Sequence, residues 1–427
     1  MDAPRRTRQC DLSKPRRPRA SCRGANQICL PLSQAEYQRI WEDTDQVRQW
    51  IDDLLLQFPE LFPQAMRGGQ YWLDGYERES RKMPGIRLRR IRIPGTNQVY
   101  TLRPSFVLPS MAGHVEEVEK GLYLLSWGVS AEAVVFCFGK DVMYWQRLAL
   151  RLGNCSLAGT TVRDPSCLPQ HLAADEHHTT VQGQKVYTSV TAAEGVFLGL
   201  ALSAAADEQA LTESYDDFRQ EAQNVDPDYA PQTVNTDGWM ATRAAWRKLF
   251  PTVALIWCFL HGFLKIRDRS SRKHGELRRR VWEVYRAPTQ EAFLAALEEL
   301  GVWSAAQKLS ASLQEYVDKL IRLGPEYAAA YEHPDCCRTS SSIDRRLNLL
   351  NRVVVAGRRL HGSLDAAERR LRGVALLINF RPFTQRHRRP QRNCPWSSPA
   401  HRLNRRVYHD HWLHNLYVSA SLGGFRK

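Results

Sequence analysis

The chain has 427 residues, 43% of them apolar, so it is long enough for two or three domains and rich enough to bury ordinary globular cores. Lys and Arg number 60 against 45 Asp and Glu, a formal charge of +15 that points to a polyanionic partner, nucleic acid in the first place and an anionic membrane surface as the rival. The longest apolar run, 253–264, is interrupted by Cys258 and His261 and is too short to span a bilayer, no apolar stretch follows the N-terminal charges as a signal peptide requires, and ten cysteines without a CxxC pair read as reduced thiols in a cytosol.

Residues 1–25 hold seven Arg and one Lys between Arg5 and Arg23, among Pro and Ser, and read as a disordered basic arm or as a merely solvated tail. Two further basic runs follow, Lys265 to Arg280 and Arg381 to Arg406, the latter with eight Arg and no acid. Over 34–65, Tyr37, Ile40, Trp41, Val47, Trp50, Ile51, Leu54 and Leu55 recur at helical spacing. Residues 66–110 are rich in Gly, Pro and Arg and predict irregular structure with short strands, and 131–138 and 141–152 predict helices. Residues 26–165 therefore form an expected mostly helical N-terminal domain.

Near residue 170 the pattern changes. A short strand over 172–180 carries Asp175, an alternating strand covers 184–191, and the apolar run 195–203 reads as a buried strand. Residues 208–222 put Leu211, Ser214, Tyr215 and Phe218 on one helical face. A strand over 233–237 ends in Asp237, a helix covers 242–250, and 253–258 is strand-like. This order predicts an α/β fold, a mixed sheet with helices on its faces. Residues 264–331 predict helices without strands, and 343–380 one helical region, or two broken at His361-Gly362.

In a sheet of this order the first and fourth strands lie side by side, so Asp175 and Asp237 can enter one site. Two close carboxylates repel, and a divalent cation, Mg²⁺ or Mn²⁺, is the natural neutraliser where phosphodiesters are handled. Equally, both can be ordinary turn or cap residues. Gly238 permits a sharp turn after Asp237. Cys258 and His261 form a CxxH at a strand end, which also fits a core thiol and a helix-start residue.

The run TVNTDGWMATRAAWRKLFPTVALIWCFLHGFLKIRDR at 233–269 resembles the second catalytic stretch of DDE-type transposases of bacterial insertion sequences, the group related to Mutator-like elements. ADEHHT at 174–179 resembles their first acidic strand, TSSSIDR at 339–345 the start of their last catalytic helix, and 398–424 their C-terminal block. The resemblance covers about residues 140–425. It implies an RNase H-like core in two parts, 166–263 and 336–385, an all-helical insertion at 264–335, and a basic, aromatic segment at 386–427, with the N-terminal domain binding DNA.

The resemblance further implies Asp175, Asp237 and Asp344 as catalytic, metal-binding acids, with Glu368 the other candidate for the third, and His261 beside them. Two Mg²⁺ or Mn²⁺ ions, about 3.5–4 Å apart, are the implied cofactors. Lys265, Arg267, Arg269, Arg386, Arg388, Arg389 and Arg392 are the expected phosphate contacts. The implied partners are element ends and target DNA, with a homodimer or higher oligomer in the synaptic complex, no membrane, and a cytoplasmic, nucleoid-associated location. Where these families carry Glu, Asn and Gly, this chain has Asp344, Ser341 and Arg405. A structure-specific nuclease on the same core and an inert, DNA-binding descendant are the alternatives. Tyr408, near Arg405 and Arg406, is the one tempting tyrosine nucleophile and reads as a structural aromatic.

Overall fold

The computed structural model describes residues 26–95, 98–357, 360–384 and 394–424. The basic arm expected over 1–25 and the expected phosphate contacts Arg386, Arg388, Arg389 and Arg392 lie outside these. The chain divides into two compact units: the first comprises 1–167, 180–184 and 349–427, the second 168–179 and 185–348. The cysteines among the described residues are free thiols. No helix among them is long and apolar enough to cross a membrane.

The first unit contains a four-stranded mixed sheet of β1 (Gln27–Leu30), β2 (Trp72–Tyr76), β3 (Arg89–Arg92) and β4 (Val99–Pro104), in the order β1-β4-β3-β2. β1 runs parallel to β4 and the other pairs are antiparallel. Helices Gln34–Ile40 and Thr44–Gln57 start at Ser33 and Asp43, whose side chains accept backbone N–H groups of the first turn. Their apolar faces bury Ile40, Trp41, Val47 and Ile51 with Leu30, Ile91, Leu102 and Phe106 of the sheet side. Of the two alternatives for 343–380 the structure has the broken one, two helices, Ser341–Ala356 and Leu364–Phe380, with Gly362, at φ 84°, in the break.

The second unit is built on a five-stranded sheet of β5 (His171–Val181), β6 (Gln184–Ala193), β7 (Val196–Ser203), β8 (Thr233–Thr236) and β9 (Ala254–Trp257). Its order is β7-β6-β5-β8-β9. Gln182 and Gly183, both at positive φ, turn β5 into β6, and Glu194 and Gly195 do the same between β6 and β7. β6 and β7 are antiparallel, whereas β8 runs parallel to both β5 and β9. Every residue of β7 is buried. Helix Glu208–Val225 comes so close to it that a Cβ on Gly199 would lie 2.7 Å from the Cβ of Phe218.

The strand expected over 172–180 forms as β5, but Asp175, read from the sequence as the acid that closes it, stands in its middle. β5 continues through His177, His178 and Thr180 to Val181, because this polar, Thr-containing stretch still pairs across the hairpin with β6. The 264–331 segment is helical, with no strand among its residues. Its Leu277, Val281, Phe293, Leu297, Leu313 and Val317 form one core cluster with Phe259, Phe263 and Ile266 of helix Phe259–Arg269.

Candidate active site

The register of β5 and β8 sets the site. Leu172 pairs with Val234 and Ala173 with Asn235, so Asp175 and Asp237 each stand two residues beyond the last paired position of adjacent parallel strands. The chain then turns sharply. Gly238 adopts φ 91°, and the indole of Trp257 covers it, 2.5 Å from where a Cβ would be. An Asp237 carboxylate oxygen accepts the Trp239 N–H at 2.8 Å, and one of Asp175 accepts the Glu176 N–H at 2.9 Å.

Burial, then the charges of Asp237 and Glu176, push the Asp175 carboxyl up to about 7. Burial likewise pushes Glu176 up to about 7, against the hydrogen bonds that its Oε1 accepts from Tyr215 (2.6 Å) and Thr242 (2.8 Å). The pocket thus gathers carboxylates faster than it neutralises them. The counter-charge comes from His261. Its hydrogen bond to Cys258 and the nearby charges of Cys258, Asp175 and Asp237 outweigh burial and hold the imidazole up at about 9. Burial pushes the Cys258 thiol up, but hydrogen bonds with His261 and Ser340 more than offset it, and its net pKa is lowered.

The segment before helix Ser341–Ala356 is stapled to the ends of β8 and β9. Asn235 donates to the Cys337 carbonyl at 2.8 Å, and the Phe259 N–H to the Arg338 carbonyl at 3.2 Å. The Ser340 N–H donates to Cys258 Sγ at 3.1 Å. The Ser340 hydroxyl lies 3.4 Å from His261 Nδ1 and 3.2 Å from an Asp344 carboxylate oxygen. Asp344 is therefore tied into the cluster through Ser340. Glu368 belongs to the first unit, buried on helix Leu364–Phe380.

Among the described residues, no group of three or more His, Cys, Asp or Glu side chains stands ready to hold a metal. Asp175 and Asp237 nevertheless fit a divalent cation as a pair. Their donors are carboxylate oxygens, which hard cations prefer, and their repulsion is what such a cation relieves. Asp344, held on Ser340, does not complete a three-acid cage as the side chains stand.

Lys265, Arg267 and Arg269 are exposed on helix Phe259–Arg269. Arg267 bonds Asp268, and the Arg269 guanidinium lies 3.8 Å from the Tyr316 ring centre. Further along this run, Arg279 and Arg280 pair with Glu276, and Arg279 with Glu283 as well, so the run is not a block of bare positive charge. Tyr408 is buried, donates to Glu60 at 2.9 Å and stacks under Arg163. Arg405, where the resembling families carry Gly, adopts the left-handed conformation (φ 61°) at the end of helix Pro399–Asn404, a position that suits glycine for want of a Cβ.

Sequence reasoning passes over Glu176, Tyr215, Thr242 and Ser340. Glu176 is visible as a second acid in ADEHHT, and Tyr215 as part of a helical face. Nothing in a run of three serines singles out Ser340. No protein-family model and no curated protein matches the chain.

Proposed function

We propose that this protein is a DNA strand-cleaving and strand-joining enzyme, a transposase of the DDE type on an RNase H-like core. The observation that carries the reading is the pair Asp175 and Asp237, level with each other on adjacent parallel strands, with Asp175 pushed up to about 7 by burial and by its acidic neighbours. Two half-buried carboxylates set side by side repel each other, which a protein that only binds gains nothing from. A metal-dependent phosphodiester enzyme does gain from it.

Asp175 and Asp237 would hold the metal, Mg²⁺ or Mn²⁺. Bound there, such a cation supplies Lewis acidity to the phosphodiester and lowers the pKa of the attacking water or 3′-hydroxyl. The chain's own residues do the rest. Trp239 N–H and the Gly238 turn fix the Asp237 carboxylate. His261, protonated at neutral pH, offsets negative charge beside the acids and offers a donor to a DNA phosphate. Ser340 fixes the positions of Cys258 and Asp344. Glu176, bonded by Tyr215 and Thr242, braces β5 against the helices that carry them. Lys265, Arg267 and Arg269 supply exposed cations for backbone phosphates, contacts that give affinity without sequence information.

The second reading is a descendant that binds DNA without chemistry. It is favoured by one observation, the missing third ligand: Asp344 is held by Ser340, and no three-acid group is assembled among the described residues. The experiment is Mg²⁺- or Mn²⁺-dependent joining of a labelled 3′ end to plasmid DNA. Joining supports the transposase; cleavage without joining points to a nuclease on the same core; binding with neither points to the inert descendant.

A further inference from the structure

A cavity of about 210 Å³ opens within the first unit. Its apolar wall comes from Leu125 and Val129, Val353 of helix Ser341–Ala356, and Val374 of helix Leu364–Phe380. The polar part comes from Arg370 and His361, with Glu132, Gln146 and Ser130. The first turn of helix Ala131–Phe138, capped by Ser130, also faces the cavity and adds the positive end of its dipole.

Arg370 is the informative group. Its neighbour Arg369 forms an ion pair with Asp365 at 2.8 Å. Arg370 has no hydrogen-bond or ion-pair partner among the described residues. The guanidinium is laid over Gly357 so tightly that a Cβ there would come within 2.3 Å of one of its nitrogens. The glycine thus leaves the room in which the charged fork sits. Burial pushes the pKa of the guanidinium down while the charge of Glu132 acts the other way. A half-buried cation whose donors open into a cavity with an apolar wall is well placed to meet an anion there.

We propose that this cavity binds a small organic anion with an apolar body, its anionic head on Arg370 and its body between Leu125, Val129, Val353 and Val374. The planar fork suits a carboxylate or a phosphate, bound through two parallel N–H donors. Glu132, on the rim and not bonded to Arg370, opposes a second negative charge and so selects for ligands with one compact anionic group. This proposal does not depend on the chemistry proposed for the second unit.

The test is calorimetric titration of the full chain with benzoate, phenyl phosphate and the neutral analogue benzyl alcohol. Saturable binding of benzoate or of phenyl phosphate is expected, the tighter of the two identifying the head group, with benzyl alcohol at least about tenfold weaker, as loss of a charged hydrogen bond implies. R370Q should lose the anion by a similar factor, and R369Q, which alters the neighbouring paired arginine, should not. E132Q should bind the anion several-fold more tightly; this exposed position keeps the test decisive if R370Q fails to fold. The proposal is overturned if neither anion saturates, if benzyl alcohol binds as well as benzoate, if R370Q and R369Q behave alike, or if E132Q leaves anion binding unchanged.

Discussion

The indole of Trp257, at the end of β9, lies against Gly238, just beyond β8, where a Cβ would come within 2.5 Å of the ring. Gly238 also sits at φ 91°. Both the ring and the backbone therefore demand glycine beside Asp237. Gly238→Ala should cost about 1–3 kcal/mol from overpacking and strain together. Thermal unfolding should show the loss as a lowered Tm, and cleavage should fall further than stability alone explains, because Asp237 moves with the turn. An unchanged Tm would deny this packing any role in holding the turn.

The acid cluster makes a signed prediction about pH. Asp175 is raised from 3.8 to about 7 and Glu176 from 4.5 to about 7, so between those values the folded state holds protons that the unfolded chain has released. Stability of the metal-free protein should therefore fall as pH rises through this window. His261, raised from 6.5 to about 9, acts in the same direction: its contribution is complete below pH 6.5 and is lost as pH rises through about 9. Each pH unit is worth at most about 1.4 kcal/mol per group. With a chelator present, Asp175→Asn should raise Tm at pH 8 and change it little at pH 4; without chelator, added Mg²⁺ should raise the wild-type Tm at pH 8 and not at pH 4. An Asn variant with the wild-type pH dependence would contradict the assignment.

Binding to DNA should weaken steeply with salt. Replacing Arg386, Arg388, Arg389 and Arg392 by Gln should flatten the dependence of log affinity on log salt by about 0.9 for each phosphate left without its arginine. Arg279→Gln should leave the slope unchanged, because that guanidinium is already shared between Glu276 and Glu283. Fluorescence anisotropy over a salt series measures both. Equal slopes in all three proteins would assign the C-terminal run to another partner.

Arg405 is held in the left-handed region, which costs a non-glycine residue about 1–2 kcal/mol. Its guanidinium recovers part of this over Trp396, 5.0 Å from the ring centre, an interaction worth about 0.5–1 kcal/mol at an exposed site. Arg405→Gly should therefore stabilise the protein slightly, by about 0.5 kcal/mol on these figures. A lowered Tm would mean that Arg405 has a role beyond the turn.

The strands of the second unit are legible in the sequence because their apolar and alternating runs are bounded by Gly and polar turns, and their order alone puts Asp175 beside Asp237. The extent of β5 is legible to within a residue at each end, but the place of Asp175 in it is not: His177, His178 and Thr180 carry no apolar signal beyond the acid, and pairing with β6 keeps them in the strand. The first unit's sheet is visible merely as short strands. β3 reads RRIR, and its Arg89 is buried because it donates to the Trp41 carbonyl and lies over Tyr76, which no hydropathy pattern reveals. The run from Lys265 to Arg280 looks like bare charge although Glu276 lies three and four residues before Arg279 and Arg280, the spacing of helical ion pairs. Ser340 becomes visible only once the fold has carried residues 337–340 to Cys258.

Whether Asp175 and Asp237 perform metal-dependent chemistry on DNA is decided by Asp237→Asn in the 3′-end joining assay, with DNA affinity measured on the same preparations. The amide keeps the shape and the acceptor for Trp239 N–H but loses the charge that a divalent cation needs. The unaltered protein should join ends in Mg²⁺ or Mn²⁺, and the variant should show no detectable joining or cleavage. DNA affinity should stay within about twofold, since phosphate contacts set affinity and this acid makes none. Full joining by Asp237→Asn would take this carboxylate, and the metal site built on it, out of the mechanism.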